Sequence, residues 1–195
     1  MLMQDLIYIT EPFQASFIKA ETERLQFGMP SEPRVGALLR VLALSKPAGC
    51  LLELGTCTGL ATAWLLAGMD AASTLISVDT NAEAQAVARI ALGSDSRLEL
   101  VLADGSEFLR VQRPRMFDLV FADAMPGKYE GLDGALEVVK IGGFYVIDDM
   151  LPQPNWPDGH AARIPLLMQE LAQRPDFTML PLVWSSGVVV AVRTR

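Results

Sequence analysis

The chain has 195 residues, the size of one ordinary domain, which is long enough to bury a core without disulfides or metal ions. Hydrophobic residues make up 51% and charged residues 20%, which excludes long disordered stretches. The formal net charge of −7 argues against nucleic acid as a partner, because an extended phosphate-binding surface needs clustered lysine and arginine.

The same sequence argues against a membrane partner. Its longest apolar stretches span about ten residues, half of what a bilayer-spanning helix needs. Asp5 and Glu11 stand where a secretory signal would carry a basic start, so we predict a cytoplasmic protein. The two cysteines, Cys50 and Cys57, do not form a C-x-x-C pair and are predicted to be reduced.

The first 47 residues are predicted to form a helical cap. Two sets of residues recur at helical spacing, one comprising Phe13, Phe17, Ala20 and Arg24 and the other Val35, Leu38, Leu39 and Leu42. Pro33 is expected in the first turn of the second helix, with Ser31 or Glu32 near its start.

From residue 48 to residue 195, short apolar runs alternate with helical patterns, which is typical of a parallel sheet covered on both faces. The predicted strands are Cys50–Leu54, Thr74–Asp79, Leu98–Leu102, Phe117–Ala122, Gly143–Asp148, Thr178–Trp184 and Gly187–Arg193. The predicted helices are 59–69, 82–92, 105–111, 129–141 and 165–173. No helix separates the last two strands, so one of them must run antiparallel. We therefore expect one α/β domain over residues 1–195, with a doubly wound, mostly parallel, Rossmann-like sheet of about seven strands and a terminal antiparallel hairpin.

Ligands of such sheets bind beyond the carboxyl ends of the strands. The first five predicted strands are followed there by Gly55, Asp79, Asp104, Asp123 and Asp148. Four carboxylates are therefore expected on one rim, although aspartate is also common in turns for its own local hydrogen bonds.

Gly55 and Gly59 bracket a tight turn between the first strand and the next helix. Because glycine has no side chain, the backbone N–H groups of this turn can approach a ligand, and the helix N-terminus favours an anionic group. A dinucleotide loop would have glycine where Cys57 and Leu60 stand, which disfavours a nicotinamide oxidoreductase. The alternative is a glycine turn that serves packing alone.

The segment Glu53-Leu54-Gly55-Thr56-Cys57-Thr58-Gly59 resembles the glycine loop of S-adenosylmethionine-dependent methyltransferases. Asp79 ends the second strand, where an acidic residue accepts ribose hydroxyls, and the segment 103–106 resembles the family's adenine side. The resemblance implies that the following residues bind S-adenosylmethionine: Glu53, Gly55, Thr56, Cys57, Gly59, Asp79, Thr80, Asp104, Gly105 and Asp123.

Residues 121–124 and 142–149 look like the two signature segments of the catechol and caffeoyl-coenzyme A type of O-methyltransferase. The resemblance covers residues 29–150 and implies a divalent cation, such as Mg²⁺, held by Asp123, Asp148 and Asp149. Such a cation chelates neighbouring hydroxyls and lowers the pKa of the one that is methylated. Asp149 departs from the family, which usually has asparagine in its place.

The resemblance also implies a catalytic lysine three residues after Asp123, but Pro126 occupies that position. Lys128 follows two residues later. It either reaches the acceptor through a lengthened loop, acting with Asp123 in catalysis, or is an exposed lysine at the start of a helix.

The proline-rich segment 150–160 is a candidate lid over an acceptor pocket. Trp156 would supply an aromatic wall. His160 is the only histidine of the chain and either acts as a base or caps the surface at the start of a helix.

These features predict an S-adenosylmethionine-dependent methyltransferase that acts on a hydroxyl of a small molecule. The departures at Pro126 and Asp149 leave a second class open, a catalytically silent S-adenosylmethionine-binding or scaffold protein. The resemblance also implies a homodimer.

Overall fold

The computed structural model describes residues 8–153, 156 and 159–195. Its strands are β1 (Cys50–Leu54), β2 (Thr74–Asp79), β3 (Leu98–Leu102), β4 (Phe117–Ala122), β5 (Val139–Ile147), β6 (Phe177–Leu182) and β7 (Val188–Arg193). Its helices are α1 (Ala15–Arg24), α2 (Pro33–Leu44), α3 (Leu60–Gly68), α4 (Ala82–Leu92), α5 (Gly105–Arg110), α6 (Leu132–Glu137) and α7 (His160–Ala172).

The strands form one sheet in the order β3-β2-β1-β4-β5-β7-β6. The neighbours from β3 to β5 pair in parallel, whereas β7 is antiparallel to both β5 and β6. The predicted fold class is therefore confirmed. The strand order reverses between β1 and β4, which places the ligand crevice of the fold at their carboxyl ends.

Successive residues of the central strands supply two separate core layers, because side chains alternate across a strand. Leu51 and Leu119 pack with residues of α1, α2 and α3 on one face of the sheet. Leu52 and Val120 pack with residues of α6 and α7 on the other. None of the helices in the described ranges is both long and apolar enough to cross a membrane.

The predicted stripe of α1 is wrong. Phe13 precedes the helix and is 94% exposed, and Phe17 is 42% exposed. The buried face consists of Ala15, Ile18 and Thr22. Because helical spacing fits both stripes, only packing against α3 and α4 selects the one that is buried.

The predicted boundary between α6 and β5 is also wrong. The helix ends at Glu137, and β5 begins at Val139 rather than at Gly143. Val139 is fully buried and pairs with Phe117 across an irregularity in the register. Pairing with β4 therefore overrides the local helical pattern of this segment.

The last helix begins at His160, five residues before its predicted start at Pro165. Pro165 lies inside α7, which starts at His160 after Gly159 in the left-handed conformation. This extension carries His160 to the carboxyl rim of the sheet.

Candidate active site

The glycine loop is shaped by two glycines with left-handed backbones. Gly55 has φ 104°, and a Cβ atom there would lie 2.6 Å from the Asp123 carbonyl oxygen. Gly59 has φ 92°, and a Cβ atom would lie 2.7 Å from that of Ala88. The turn therefore has no room for side chains at either position, and it brings β1, β4 and α4 together.

A buried polar network supports the loop from below. The Glu53 carboxylate is fully buried and accepts hydrogen bonds from Thr62, at 2.5 Å, and from Ser77. Thr56 Oγ1 lies 2.6 Å from Ser77 Oγ and accepts a hydrogen bond from Gln85 at 3.3 Å. The Thr56 side chain is thus turned into the core, which leaves only its backbone for a ligand. Sequence reasoning missed Ser77 and Gln85, which stand on different elements.

Glu53 is placed to make stability depend on pH. Burial raises its pKa from 4.5 to about 8, and Asp123 and Asp79 add to the rise. Its Oε1 has no hydrogen-bond partner among the described residues. A cationic group of a ligand would be favourable next to this carboxylate.

We expect the free protein to lose stability as the pH rises from about 4.5 to about 8. The folded state holds the Glu53 proton more tightly than the unfolded chain, so ionisation across this interval favours unfolding. Glu53→Gln should flatten the fall in Tm between these limits, measured by thermal unfolding in a pH series. Glu99→Gln, at an exposed position of β3, is the control. A fall of the same size in Glu53→Gln would contradict the assignment.

The cofactor side of the site is a small cavity of about 50 Å³ lined by Gly55, Asp79, Thr80 and Gly105, together with Ala124 and Pro126. The two oxygens of the Asp79 carboxylate accept hydrogen bonds from the backbone N–H groups of Cys57 and Asn81, with N···O distances of 2.7 Å each. The predicted residues of β1, β2 and β3 therefore meet. Ala124 and Pro126 were not predicted to line this cavity, because their side chains carry no functional group that marks a binding residue in the sequence.

Asp104 has a different local role. Its side chain accepts a hydrogen bond from the Glu107 backbone N–H at 2.9 Å and caps the N-terminus of α5. The side chain is exposed and does not line the cavity that Gly105 lines.

Asp79→Ala is expected to weaken S-adenosylhomocysteine binding by about 10- to 100-fold, the value of a hydrogen bond to a charged group. Asp104→Ala should leave the affinity unchanged and lower the stability by about 1 kcal/mol through loss of the cap. Titration calorimetry and thermal unfolding of the two variants measure these effects. An equal loss of affinity in both would assign Asp104 to the cofactor as well.

The acceptor side is a second cavity of about 160 Å³. Its lining combines apolar and reactive side chains: Phe27, Met29, Cys57, Asp123, Ala124, Met125, Lys128, Tyr129, Asp149 and His160. Ala124 also lines the cofactor-side cavity, so the two cavities are neighbours.

Three carboxylates follow β4 and β5. Asp123 accepts a hydrogen bond from Ser31 Oγ at 3.2 Å, and Asp148 accepts one from Ser186 Oγ. Burial raises the pKa of Asp123, of Asp148 to about 8 and of Asp149 to about 6. Repulsion by Asp123 adds to the rise at the other two carboxylates.

These three carboxylates are the predicted ligands of a divalent cation. Within residues 8–153, 156 and 159–195, no group of three or more His, Cys, Asp or Glu side chains is placed to hold a metal ion. Asp148 Oδ1 already accepts from Ser186 Oγ and from the Asp149 N–H. The three carboxylates nevertheless line one cavity of about 100 Å³ together with Ser31 and Glu32, and cation binding there stays a prediction.

Lys128 is not the exposed lysine of the alternative interpretation. It is 3% exposed, and its Nζ donates to the Asp148 carbonyl oxygen at 2.8 Å. Its positive charge opposes the rise in pKa at Asp123 and Asp149. The lengthened loop after β4 thus delivers the ammonium group to the acceptor cavity.

His160 is also buried rather than on the surface, with 7% exposure. Its Nε2 lies 3.2 Å from the Tyr129 hydroxyl and 3.4 Å from the Asp149 carbonyl oxygen. Its ring centroid lies 4.5 Å from that of Trp156, which contacts His160 but does not itself line the acceptor cavity, so the aromatic wall stays a prediction. Burial lowers the pKa of His160, so the neutral form is favoured. The rest of the predicted lid, at 154–155 and 157–158, lies outside the described residues.

The strand order, the glycine loop at the switch point and the acidic strand ends together define a class: an α/β enzyme of the methyltransferase type. A methyltransferase-domain family matches residues 52–150. A protein of Mycobacteroides abscessus assigned as an O-methyltransferase is 30% identical over 180 residues, covering 84% of this chain and 81% of its own. The chain therefore belongs to the family of S-adenosylmethionine-dependent O-methyltransferases.

Solved structures share the fold. The O-methyltransferase TomG of Streptomyces achromogenes, in complex with S-adenosylmethionine, has a TM-score of 0.81 at 23% identity, covering 96% of this chain and 92% of its own. An O-methyltransferase of Bacillus cereus, in complex with S-adenosylhomocysteine, has a TM-score of 0.79 at 19% identity, covering 95% and 93%.

Proposed function

We propose that the chain binds S-adenosylmethionine and transfers its methyl group to a hydroxyl oxygen of a small molecule. The observation that carries this proposal is the shared boundary of the two cavities. Ala124 lines both cavities, and Cys57 of the cofactor loop lines the same space as Asp123 and Lys128. A hydroxyl held by these two residues would therefore lie next to the cofactor loop.

On the cofactor side, the resemblance assigns the methionine portion to the loop from Gly55 to Gly59, with the Glu53 carboxylate beneath it. We assign Asp79 and Thr80 to the ribose and Gly105 to the adenine side, since all three line the cofactor-side cavity. The relatives crystallised with S-adenosylmethionine and S-adenosylhomocysteine support this use of the fold.

On the acceptor side, the hydroxyl oxygen attacks the methyl carbon as the carbon–sulfur bond breaks, which yields the methyl ether and S-adenosylhomocysteine. The hydroxyl proton passes to the Asp123 carboxylate, whose raised pKa suits a general base. Lys128 stabilises the developing oxyanion. Displacement at a sulfonium methyl needs little further covalent help, so catalysis depends mainly on positioning.

The proposal is tested in two stages. Titration calorimetry should detect S-adenosylhomocysteine binding to the purified protein. Production of S-adenosylhomocysteine from S-adenosylmethionine over a panel of phenols, catechols and aliphatic alcohols should then identify the acceptor class. Absence of cofactor binding would overturn the proposal, and binding without turnover on any acceptor would favour the silent protein instead.

The divalent cation that the resemblance implies would lower the pKa of the acceptor hydroxyl when bound. Its carboxylates would be Asp123, Asp148 and Asp149, which line one cavity of about 100 Å³. The panel is therefore measured both with Mg²⁺ and with a chelator.

A further inference from the structure

We propose that the acceptor is a hydroxylated aromatic acid whose carboxylate binds Arg163 on α7. This inference rests on the proposed function and names the chemical class of its acceptor. Methyl transfer takes place in the acceptor cavity, whereas the carboxylate binds in a groove next to it.

The first support is a second cavity that continues the acceptor cavity. It has a volume of about 380 Å³ and is lined by residues of the loop after β4 and of α7. Lys128 and Tyr129 line both cavities, so the two spaces are neighbours. An acceptor that is longer than the cavity of about 160 Å³ can therefore extend a tail into this second space, which we call the tail groove.

The second support is the guanidinium group of Arg163, which lines the tail groove. Its Cζ lies over the Tyr129 ring, 5.6 Å from the ring centroid, and within the described ranges Arg163 forms no ion pair. A guanidinium group that lies over an aromatic ring keeps the N–H groups at its edge for a carboxylate, which it can bind with two parallel hydrogen bonds. A carboxylate on the acceptor would supply the counter-charge.

The third support is that the charge of Arg163 acts inside the acceptor cavity. Burial raises the pKa of Tyr129 to about 12, and Arg163 opposes this rise. Burial also lowers the pKa of His160, and the charges of Lys128 and Arg163 add to that fall. Since Tyr129 and His160 line the acceptor cavity, Arg163 lies within electrostatic reach of an acceptor bound there.

The fourth support is the sign of the charges in the two neighbouring spaces. Asp123 and Asp149 line the acceptor cavity and would repel an acceptor carboxylate. Arg163 lines the tail groove and would attract it. The two spaces therefore orient an acid with its hydroxyl towards Asp123 and its carboxylate towards α7.

Two glutamates also line the tail groove. Glu170 is paired with Arg174 at 2.7 Å, so its charge is already compensated. Glu130 is exposed and would instead favour an ammonium group on the acceptor. Because Arg163 and Lys128 are two cations against Glu130, the groove favours the carboxylate, and an amine is the rival that the test must exclude.

The test compares three acceptors that share a catechol ring and a two-carbon tail: dihydroxyphenylpropionate, its amide, and dopamine. Their kcat/KM is measured on the full chain with S-adenosylmethionine and Mg²⁺. We expect the acid to exceed the amide by about 10-fold, the lower end of the value of a hydrogen bond to a charged group, and dopamine to be the poorest. Equal values, or a preference for dopamine, would overturn the inference while leaving the proposed function intact.

A second measurement uses Arg163→Gln, Arg163→Lys and the control Arg110→Gln, an exposed arginine paired with Glu107. In Arg163→Gln the ratio of kcat/KM for the acid to that for the amide should fall about 10-fold, through KM rather than kcat, because the carboxylate binds away from the reacting atoms. Arg163→Lys should retain part of the preference, since it keeps the charge but not the two parallel hydrogen bonds. Arg110→Gln should keep the wild-type ratio. An unchanged ratio in Arg163→Gln would contradict the inference.

Calorimetry separates failure of the inference from failure of the proposed function. The three compounds are titrated into protein saturated with S-adenosylhomocysteine. Binding of the acid that weakens in Arg163→Gln, without turnover of any compound, would support the carboxylate site and count against methyl transfer. No preference for the acid in this titration would remove the inference by itself, whereas absence of S-adenosylhomocysteine binding would remove the proposed function.

Discussion

Asp123→Asn is expected to lower kcat by about 10²- to 10⁴-fold, the usual contribution of a positioned general base. The amide cannot take the hydroxyl proton, and it also removes the negative charge that faces Lys128. Because Asn has nearly the same shape and can still accept from Ser31, the fold and the affinity for S-adenosylhomocysteine should be retained.

The measurement is steady-state turnover of a reactive acceptor, together with calorimetry and thermal unfolding of the same preparation. Asp133→Asn is the matched control, because Asp133 is 80% exposed and forms a surface ion pair with Arg174. Unchanged kcat in Asp123→Asn would mean that another group of the cavity accepts the hydroxyl proton. His160, favoured in its neutral form, would be the next candidate.

Gly55→Ala is expected to destabilise the protein by about 3 kcal/mol, from a strained left-handed backbone and an overpacked contact. The added Cβ would meet the Asp123 carbonyl oxygen at 2.6 Å, so either β1 or the loop after β4 must move. Since that loop carries Asp123 and lies beside the cofactor cavity, S-adenosylhomocysteine binding should be lost as well.

Gly142→Ala separates the two causes. Gly142 shares the left-handed backbone, with φ 77°, but an added Cβ would have nothing within 4 Å. Its loss of stability, measured by chemical denaturation, should therefore reflect backbone strain alone and leave cofactor binding intact. Equal effects of the two substitutions would show that the close approach to Asp123 carries no energetic weight.

The sequence was informative wherever chemistry is local. Short apolar runs gave the strands, and the bounds of β1, β2, β3 and β4 agree with those predicted. The glycine loop was recognisable because a tight strand-to-helix turn restricts the residues that can form it. The acidic strand ends could be placed on one rim because parallel strands end at the same edge of a sheet.

Contacts between distant segments could not be predicted from the sequence. Ser186 belongs to the C-terminal hairpin, yet its hydroxyl bonds to Asp148. Ser31 precedes α2 and reaches Asp123 across 92 positions of the chain. No local pattern marks such serines, because their neighbours in sequence do not share the site.

The sequence by itself determined the fold class and the residues at the carboxyl ends of the strands, because these follow from periodicity and turn chemistry. It indicated the family only through the resemblance of the glycine loop and the strand-end segments. Only the tertiary structure decided the environment of each side chain. From the sequence, Lys128 and His160 could equally be surface residues. In the fold, the loop after β4 and the start of α7 bury both side chains at the acceptor cavity. The physical reason is that burial, and with it charge state and hydrogen-bond partners, depends on which segments meet in space.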